Sequence, residues 1–120
     1  MPLARTLGME TLLATASEVR ARITVNDALC TSGDVLHGGV IMALADSTGA
    51  LCAFLNLPAG AAGTTTMESK TNFLRAVRGG SIEARSTPLH TGRTMIVVVT
   101  DVLRDDGKLA ARVTQTQAVL

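Results

Sequence analysis

The sequence predicts an α+β domain in which an antiparallel sheet of about five strands wraps around one long helix. Three observations predict it: a strictly alternating segment near the N-terminus, one long apolar segment, and four more strand-like segments joined by short turns. A sheet has to bury one face, and only one long helix is available to cover it. A chain of 120 residues is long enough for one core, so residues 1–120 are predicted to form a single domain.

The first half of the chain supplies one strand and the long helix. Residues Leu7–Ala16 are expected to form a short helix. From Glu18 to Val25 apolar and polar residues alternate, which is typical of a half-buried strand. The aperiodic stretch Asn26–Leu36 is predicted to be a loop. The segment from about Gly38 to Asn56 is apolar on nearly all sides, which predicts a helix enclosed by other structure.

The second half of the chain contains strands and no further helix. Its strand-like segments are joined by short sequences rich in glycine and aspartate, which are typical of turns. Short turns between consecutive strands predict antiparallel pairing of neighbours in the sequence. The predicted strands are Thr64–Leu74, Ser81–His90, Thr94–Leu103 and Leu109–Val119.

Composition excludes several classes of partner and cofactor. The net charge is +1 and the only aromatic residues are Phe54 and Phe73, so the basic stripe with interleaved aromatics of a nucleic-acid binder is missing. The cysteines, Cys30 and Cys52, have no metal-ligand spacing and are expected to be buried, reduced thiols. No metal and no cofactor are predicted.

A membrane span and export are also not expected. The long apolar segment approaches transmembrane length, but Asp46 lies near its centre, and a central Asp costs about 2.5–3.5 kcal/mol on insertion. Residues Met1–Gly8 have neither an apolar core nor a cleavage signature of a signal peptide. A cytoplasmic protein is therefore expected.

Asp46 is the most informative residue of the chain. It is the only formal charge in the 33 residues from Val35 to Met67. Burying an unpaired charge costs several kcal/mol unless another group solvates or uses it. Alanine or leucine would suit the apolar helix better, which indicates that the carboxylate has a chemical use.

The segment Leu36–Asp46, with the sequence LHGGVIMALAD, carries a family resemblance. With an acid nine positions after the histidine, inside a helix that four strands follow, it resembles the hotdog-fold thioesterases of the phenylacetic-acid-degradation (PaaI) type. The resemblance extends over roughly residues 18–119, through Thr64–Leu74 and the Gly92-Arg93-Thr94 turn. It implies a hotdog fold.

The resemblance also implies an acyl-CoA thioesterase that acts as a dimer or dimer of dimers without a metal. In that family the helix acid is the base or nucleophile of hydrolysis, which corresponds to Asp46. The N–H of Gly38 would polarise the thioester carbonyl, and His37 would help to position the carbonyl or the departing thiol. A hydroxyl of the next strand often assists the water, and Thr65 is the residue that aligns best.

One position departs from the family pattern. Many members have Asn or Gln six residues before the histidine, and this chain has Thr31 there. The same loop has Asp34 where glycine is more usual. A threonine hydroxyl could contact the reacting group instead of the amide, with a different rate or acyl preference.

The spacing of the two main candidates has a geometric consequence. Gly38 and Gly39 lack a Cβ, so a substrate can approach the unpaired N–H groups of the first helical turn closely. Asp46 lies eight residues beyond Gly38, about 12 Å along a helix. One carbonyl cannot touch both in one subunit, so the functional assignment requires a twofold dimer with two shared sites.

The phosphates of CoA need cationic partners, because the chain has no glycine-rich phosphate loop. Arginine binds phosphate through paired hydrogen bonds. The candidates are the loop residues Arg75, Arg78 and Arg93, of which Arg93 lies in a turn that resembles the family's nucleotide-facing turn.

Three functions therefore compete. The first is hydrolysis of an aryl or medium-chain acyl-CoA, since small aliphatic residues would line the pocket. The second is a non-catalytic acyl-CoA-binding module, which Thr31 keeps open. The third is a hotdog dehydratase or hydratase, which usually arranges the histidine and the acid differently.

Overall fold

The computed structural model describes all 120 residues and contains one antiparallel sheet and one long helix. The sheet has six strands in the order β1-β2-β4-β5-β6-β3. In chain order the elements are α1 (Pro2–Thr6), β1 (Glu10–Ala14), β2 (Val19–Thr24), a 3₁₀ turn (Asp27–Leu29), α2 (Gly38–Phe54), β3 (Thr64–Phe73), β4 (Ser81–Thr91), β5 (Met95–Arg104) and β6 (Leu109–Val119).

The sheet packs its inner face against α2, which confirms the predicted hotdog fold. Alternate residues of β2, β4, β5 and β6 are buried, as expected for strands with one face on the core. Ile23, Leu44, Ile82 and Val102 meet in the larger of two apolar clusters and are fully buried. The core therefore lies between the helix and the middle strands.

The long helix is not enclosed on all sides, which corrects the expectation from its composition. One face is buried against the sheet, whereas Met42 and Phe54 on α2 are 42% and 55% exposed. Asp46 is exposed as well. Met42 and Asp46 are four residues apart and share one helix face. In the single chain the carboxylate therefore avoids the full cost of burial.

The N-terminal region also differs from the prediction of a helix at Leu7–Ala16. Helix α1 ends at Thr6, and Gly8 has φ of +69°, a conformation that ends the helix. Residues Glu10–Ala14 instead pair with β2 and add a sixth strand to the five expected.

The position of β3 is a third correction to the prediction. The chain after Phe73 does not form a hairpin, because β3 pairs with β6 and β4 pairs with β2 and β5. The crossing segment is held by the buried side chain of Val77, whose carbonyl accepts the Leu36 N–H at 2.9 Å. Strand β3, ten residues long, is consequently an open edge of the sheet.

No helix of the chain has the length and hydropathy that a bilayer span requires.

Candidate active site

The N-terminus of α2 leaves one backbone donor free. His37 is the N-cap residue, and its Nδ1 accepts the Gly39 N–H at 2.8 Å. The neutral imidazole then carries its proton on Nε2. The Gly38 N–H has no hydrogen-bond partner within the chain. Of the two glycines, Gly38 is therefore the one with a donor to offer, at the positive end of the helix dipole.

Gly39 has a reason of its own to be glycine. A Cβ built on Gly39 would lie 2.9 Å from His37 Nδ1 and would disturb the cap. The cap alone therefore explains why position 39 is glycine, without a contribution of Gly39 to substrate binding. The prediction that a substrate approaches the helix backbone closely remains for Gly38.

An apolar groove opens at Gly38. It has a volume of about 370 Å³ and is lined by the helix start, the end of β3 and the crossing segment. The ring of Phe73 lies against the Gly38 α-carbon, so that an added Cβ would be 3.0 Å from Phe73 Cζ. Ile41 and Val77 form part of the apolar wall.

The carboxylate of Asp46 has two unequal oxygens. Oδ1 accepts a hydrogen bond from Gln115 Nε2 at 2.5 Å and one from Thr66 Oγ1 at 3.3 Å. Thr66 Oγ1 in turn accepts from Gln117 Nε2 at 2.7 Å. Oδ2 has no partner within the chain. One oxygen is therefore held and the other is free for a reacting group.

The hydroxyl beside Asp46 belongs to Thr66, and the prediction of Thr65 is off by one residue. Thr66 pairs with Gln117, which faces the helix, and Thr65 pairs with Ala118. Successive strand residues face opposite sides, so Thr65 faces away from Asp46.

Arg75 and Arg78 line a second groove of about 450 Å³, next to the apolar one. Arg75 Nη1 donates to the Leu109 carbonyl at 2.8 Å, and Arg78 Nη1 donates to the Gly33 carbonyl at 3.1 Å. Arg104 lines the same groove. The two grooves share Arg75, Ala76 and Val77, so an apolar surface continues directly into one lined by three arginines together with Asp105 and Asp106.

Arg104 is held by an ion pair. Its guanidinium bonds Asp106 and donates to the Ala76 carbonyl at 3.1 Å. The hydrogen bonds from Arg104 and from the Lys108 backbone lower the pKa of Asp106 to about 2, and the same pair raises the pKa of Arg104.

Arg93 and Thr31 lie apart from these grooves. Arg93 is in the turn between β4 and β5, roughly 30 Å from Arg78 along the length of β4. Arg75 and Arg93, both predicted to bind the phosphates of CoA, are therefore not brought together in one chain. The hydroxyl of Thr31 accepts the Gly33 N–H at 3.3 Å and stabilises its own loop.

A family model settles which class of protein has this fold and these residues. The model described as "Thioesterase superfamily" matches residues 33–111, which include α2 with its histidine, glycines and acid. The chain belongs to the thioesterase superfamily. It is a hotdog-fold thioesterase, in agreement with the sequence prediction.

Several relatives resemble this thioesterase closely. A Haemophilus influenzae protein named as a candidate esterase is 34% identical over 103 residues, 86% of this chain and 74% of its own length. A thioesterase structure from the same organism has a TM-score of 0.92 at 31% identity, covering 98% of this chain and 82% of its own. A candidate thioesterase from Ralstonia eutropha, described as phenylacetic acid degradation-related, has a TM-score of 0.89 at 28% identity, covering 98% and 89%.

Three residues of the candidate site were not predicted from the sequence. Thr66 and Gln115 contact the acid, and Phe73 covers Gly38. Phe73 carried one available signal, because it is one of only two aromatic residues in the chain. Gln115 carried none, since a glutamine in a strand fits either face.

Proposed function

We propose that this chain hydrolyses aryl or medium-chain acyl-CoA thioesters to free acid and CoA in sites shared by two copies. The observation that carries the proposal is the free Oδ2 of Asp46, on an exposed helix face whose first turn offers the free Gly38 N–H. A carboxylate and an oxyanion donor are the two groups that thioester hydrolysis needs.

The Gly38 N–H is suited to the carbonyl of the thioester. Negative charge develops on that oxygen in the transition state, and the N–H with the helix dipole stabilises it. The Nε2–H of His37, whose orientation the cap fixes, is a second donor for the carbonyl oxygen or the departing sulfur.

Asp46 acts through Oδ2 in one of two balanced ways. As a general base it takes a proton from water, the water oxygen bonds to the carbonyl carbon, and the C–S bond breaks as the sulfur takes up a proton. As a nucleophile it bonds to the carbonyl carbon and expels the thiolate. Water then cleaves the resulting anhydride to the free acid, and the proton released goes to the thiolate as the Asp46 carboxylate is restored. Thr66 and Gln115 hold Oδ1 in both cases.

A second copy is needed to bring the two groups together. Gly38 and Asp46 are about 12 Å apart along α2. The open edge of β3 supplies a surface for pairing, because a long unpaired edge strand tends to join another chain. Met67 and Phe73 on β3, with Met42 on α2, are 68%, 54% and 42% exposed and would be covered.

The contacts along β3 support one way in which two copies would pair. Phe73 lies against Gly38, and Thr66 bonds Asp46. If two β3 strands pair antiparallel with Phe73 opposite Thr66 of the second copy, Gly38 faces the second Asp46. The twofold axis then passes midway between these residues, at about Lys70.

The same pairing would bring arginine side chains of both copies toward the phosphates of CoA. The apolar groove at Gly38 suits the acyl or pantetheine part, and Arg75 and Arg78 in the adjoining groove suit phosphates. Arg93 lies near the start of β3, because Met95 shares the partner Ala118 with Thr65. In the paired strands that end of the second copy lies toward Arg75. A cytoplasmic dimer of such dimers remains our expectation.

A non-catalytic acyl-CoA-binding module is the second candidate. The observation that favours it is Thr31, whose short hydroxyl accepts a bond from its own loop. The module would bind acyl-CoA esters without releasing thiol.

The decisive experiment measures free thiol with a disulfide dye, using a panel of aryl and aliphatic acyl-CoAs. Wild type should release CoA, and Asp46→Ala should be about a hundredfold or more slower. Asp27→Ala, which removes an exposed aspartate of the 3₁₀ turn, is the control and should keep full turnover. Tight binding of the esters without turnover would establish the binding module, and turnover that survives Asp46→Ala would refute the role of Asp46. A change in enoyl absorbance without thiol release would indicate a hydratase.

A further inference from the structure

The side chain of Gln115 reaches from β6 to the acid on the helix. Gln115 is fully buried, and its Nε2 lies 2.5 Å from Asp46 Oδ1 and 3.2 Å from Thr66 Oγ1. The carboxylate fixes the orientation of the carboxamide, since only the nitrogen can donate to it. The other end of the carboxamide, Oε1, must then point away from Asp46.

This orientation leaves a buried acceptor without a partner. Gln115 Oε1 has no hydrogen bond within the chain. Buried polar atoms in proteins are nearly always paired, because an unpaired one loses its bonds to water without replacement. The fold therefore tolerates an unfavourable atom in order to direct Nε2 at the acid.

The helix also has an unfavourable residue at the same point. Gly49 is buried in the middle of α2, where glycine is a poor helix former. A Cβ built on Gly49 would overlap Gln115 Oε1. Gly49 thus provides the space that the carboxamide occupies, three residues along the helix from Asp46.

We propose that Gln115 is a positioning residue for Asp46, and that Gly49 makes its placement possible. The inference rests on the proposed function. Gln115 holds Oδ1 and leaves Oδ2 directed out of the helix face toward the substrate. The Asp46 side chain is then already in its reactive rotamer when the thioester binds, so the geometry of attack is preorganised.

Gln117 offers a matched comparison within the same strand. It is two residues from Gln115, faces the same side, is 1% exposed and also has an unpartnered Oε1. Its Nε2 bonds Thr66 but not Asp46. Replacing either glutamine by methionine keeps the length of the side chain and removes the donor.

The experiment compares Gln115→Met with Gln117→Met in the thiol-release assay. Gln115→Met should lower kcat by about 10- to 100-fold with little change in KM, because a small displacement of a reacting group has effects of that size. Gln117→Met should lower kcat by a clearly smaller factor. Equal losses in both variants, or a loss carried by KM, would overturn the inference. An active wild type that requires Asp46 but not Gln115 overturns this inference alone, whereas an inactive wild type overturns the proposed function as well.

Gly49→Ala tests the same idea without touching the strand. Alanine favours the helix, and the flexible end of Gln115 can turn aside, so the variant should fold. Its kcat should fall because Gln115 no longer donates a hydrogen bond to Asp46. The double variant Gly49→Ala/Gln115→Met should have the same kcat as Gly49→Ala. Full activity of Gly49→Ala, or losses that add in the double variant, would contradict the proposal.

Discussion

The ring of Phe73 lies over the α-carbon of Gly38, close enough that a methyl group on Gly38 would sit 3.0 Å from Cζ and 3.1 Å from Cε1. This contact joins the end of the edge strand to the start of the helix. The residue that would polarise a carbonyl is therefore covered by an aromatic side chain that is itself 54% exposed. The Phe73 ring therefore forms part of the surface next to the Gly38 N–H.

Gly38→Ala keeps the backbone N–H but adds a methyl group beside it, and it is expected to lower kcat/KM by about tenfold to a hundredfold because the thioester is displaced from that donor. The added methyl would lie 3.0 Å from Phe73 Cζ, so the ring has to shift and the space beside Gly38 changes. Thermal unfolding should change little, because the residue is in the first helical turn and the ring can move. The double variant Gly38→Ala/Phe73→Leu should recover part of the activity. Unchanged kcat/KM in Gly38→Ala would show that the reaction does not need a close approach to the α-carbon of Gly38.

The two cysteines should differ sharply in reactivity. Cys52 is fully buried on α2, and burial raises the pKa of its thiol to about 11. Cys30 is half-buried, contrary to the expectation of two buried thiols, and lies in the loop region before the helix. At pH 8 a disulfide dye should react rapidly with one thiol of the native protein and with the second thiol only after denaturation, because the thiolate is the reactive form. Cys30→Ser should abolish the fast reaction, and two fast thiols in the native wild type would contradict this assignment.

The features of the fold that are predicted correctly have local signals in the sequence. The histidine, the glycines and Asp46 lie within one helix, so their spacing was readable directly. The helix start at Gly38 and the bounds of β6 at Leu109–Val119 were predicted as found. A local motif also fixes chemistry, which is why the family could be recognised before the fold was known.

The contacts that escaped prediction depend on strand pairing. Gln115 meets Asp46 across 69 positions of sequence. The choice between Thr65 and Thr66 depends on the register of β3 against β6, which a run of threonines leaves open. The glycine-rich turn before β4 is equally compatible with a hairpin or with the crossing that occurs. These features follow from packing of distant segments, which no short pattern records.

Acid should weaken the turn that carries the Arg104–Asp106 pair. The pKa of Asp106 in the fold is about 2, below its ordinary value of 3.8, so the pair stabilises the native state above about pH 4. That contribution is lost as the pH falls from 4 toward 2. Asp106→Asn should therefore lower the Tm at pH 6 and match wild type near pH 2. Asp105→Asn is the control, since Asp105 makes no hydrogen bond to Arg104. A Tm difference that is constant with pH would exclude the pair as its source.

The proposed register of β3 predicts a specific crosslink. With the twofold axis near Lys70, a cysteine at that position lies beside its own copy in the second chain. Lys70→Cys in a Cys30→Ser background should form a covalent dimer under mild oxidation. Thr64→Cys is the control, because its two copies would be roughly 35 Å apart, far beyond the ~7 Å that a disulfide spans. Efficient crosslinking at Thr64 and none at Lys70 or Ser69 would disprove the register.

Shared sites should allow two impaired variants to restore each other. In a mixed dimer of Asp46→Ala and Gly38→Ala chains, one site carries both substitutions and the other carries neither. Thiol release should then rise well above that of either parent dimer after co-expression with two affinity tags and isolation of the mixed species. A mixed dimer of Asp46→Ala and Asp46→Asn has no intact site and should stay inactive, which excludes recovery by dimer formation alone. If the first mixture gives no more than the mean of its parents, Gly38 and Asp46 serve one site within a single chain, and the 12 Å separation along α2 would have to be closed by a change in the helix itself.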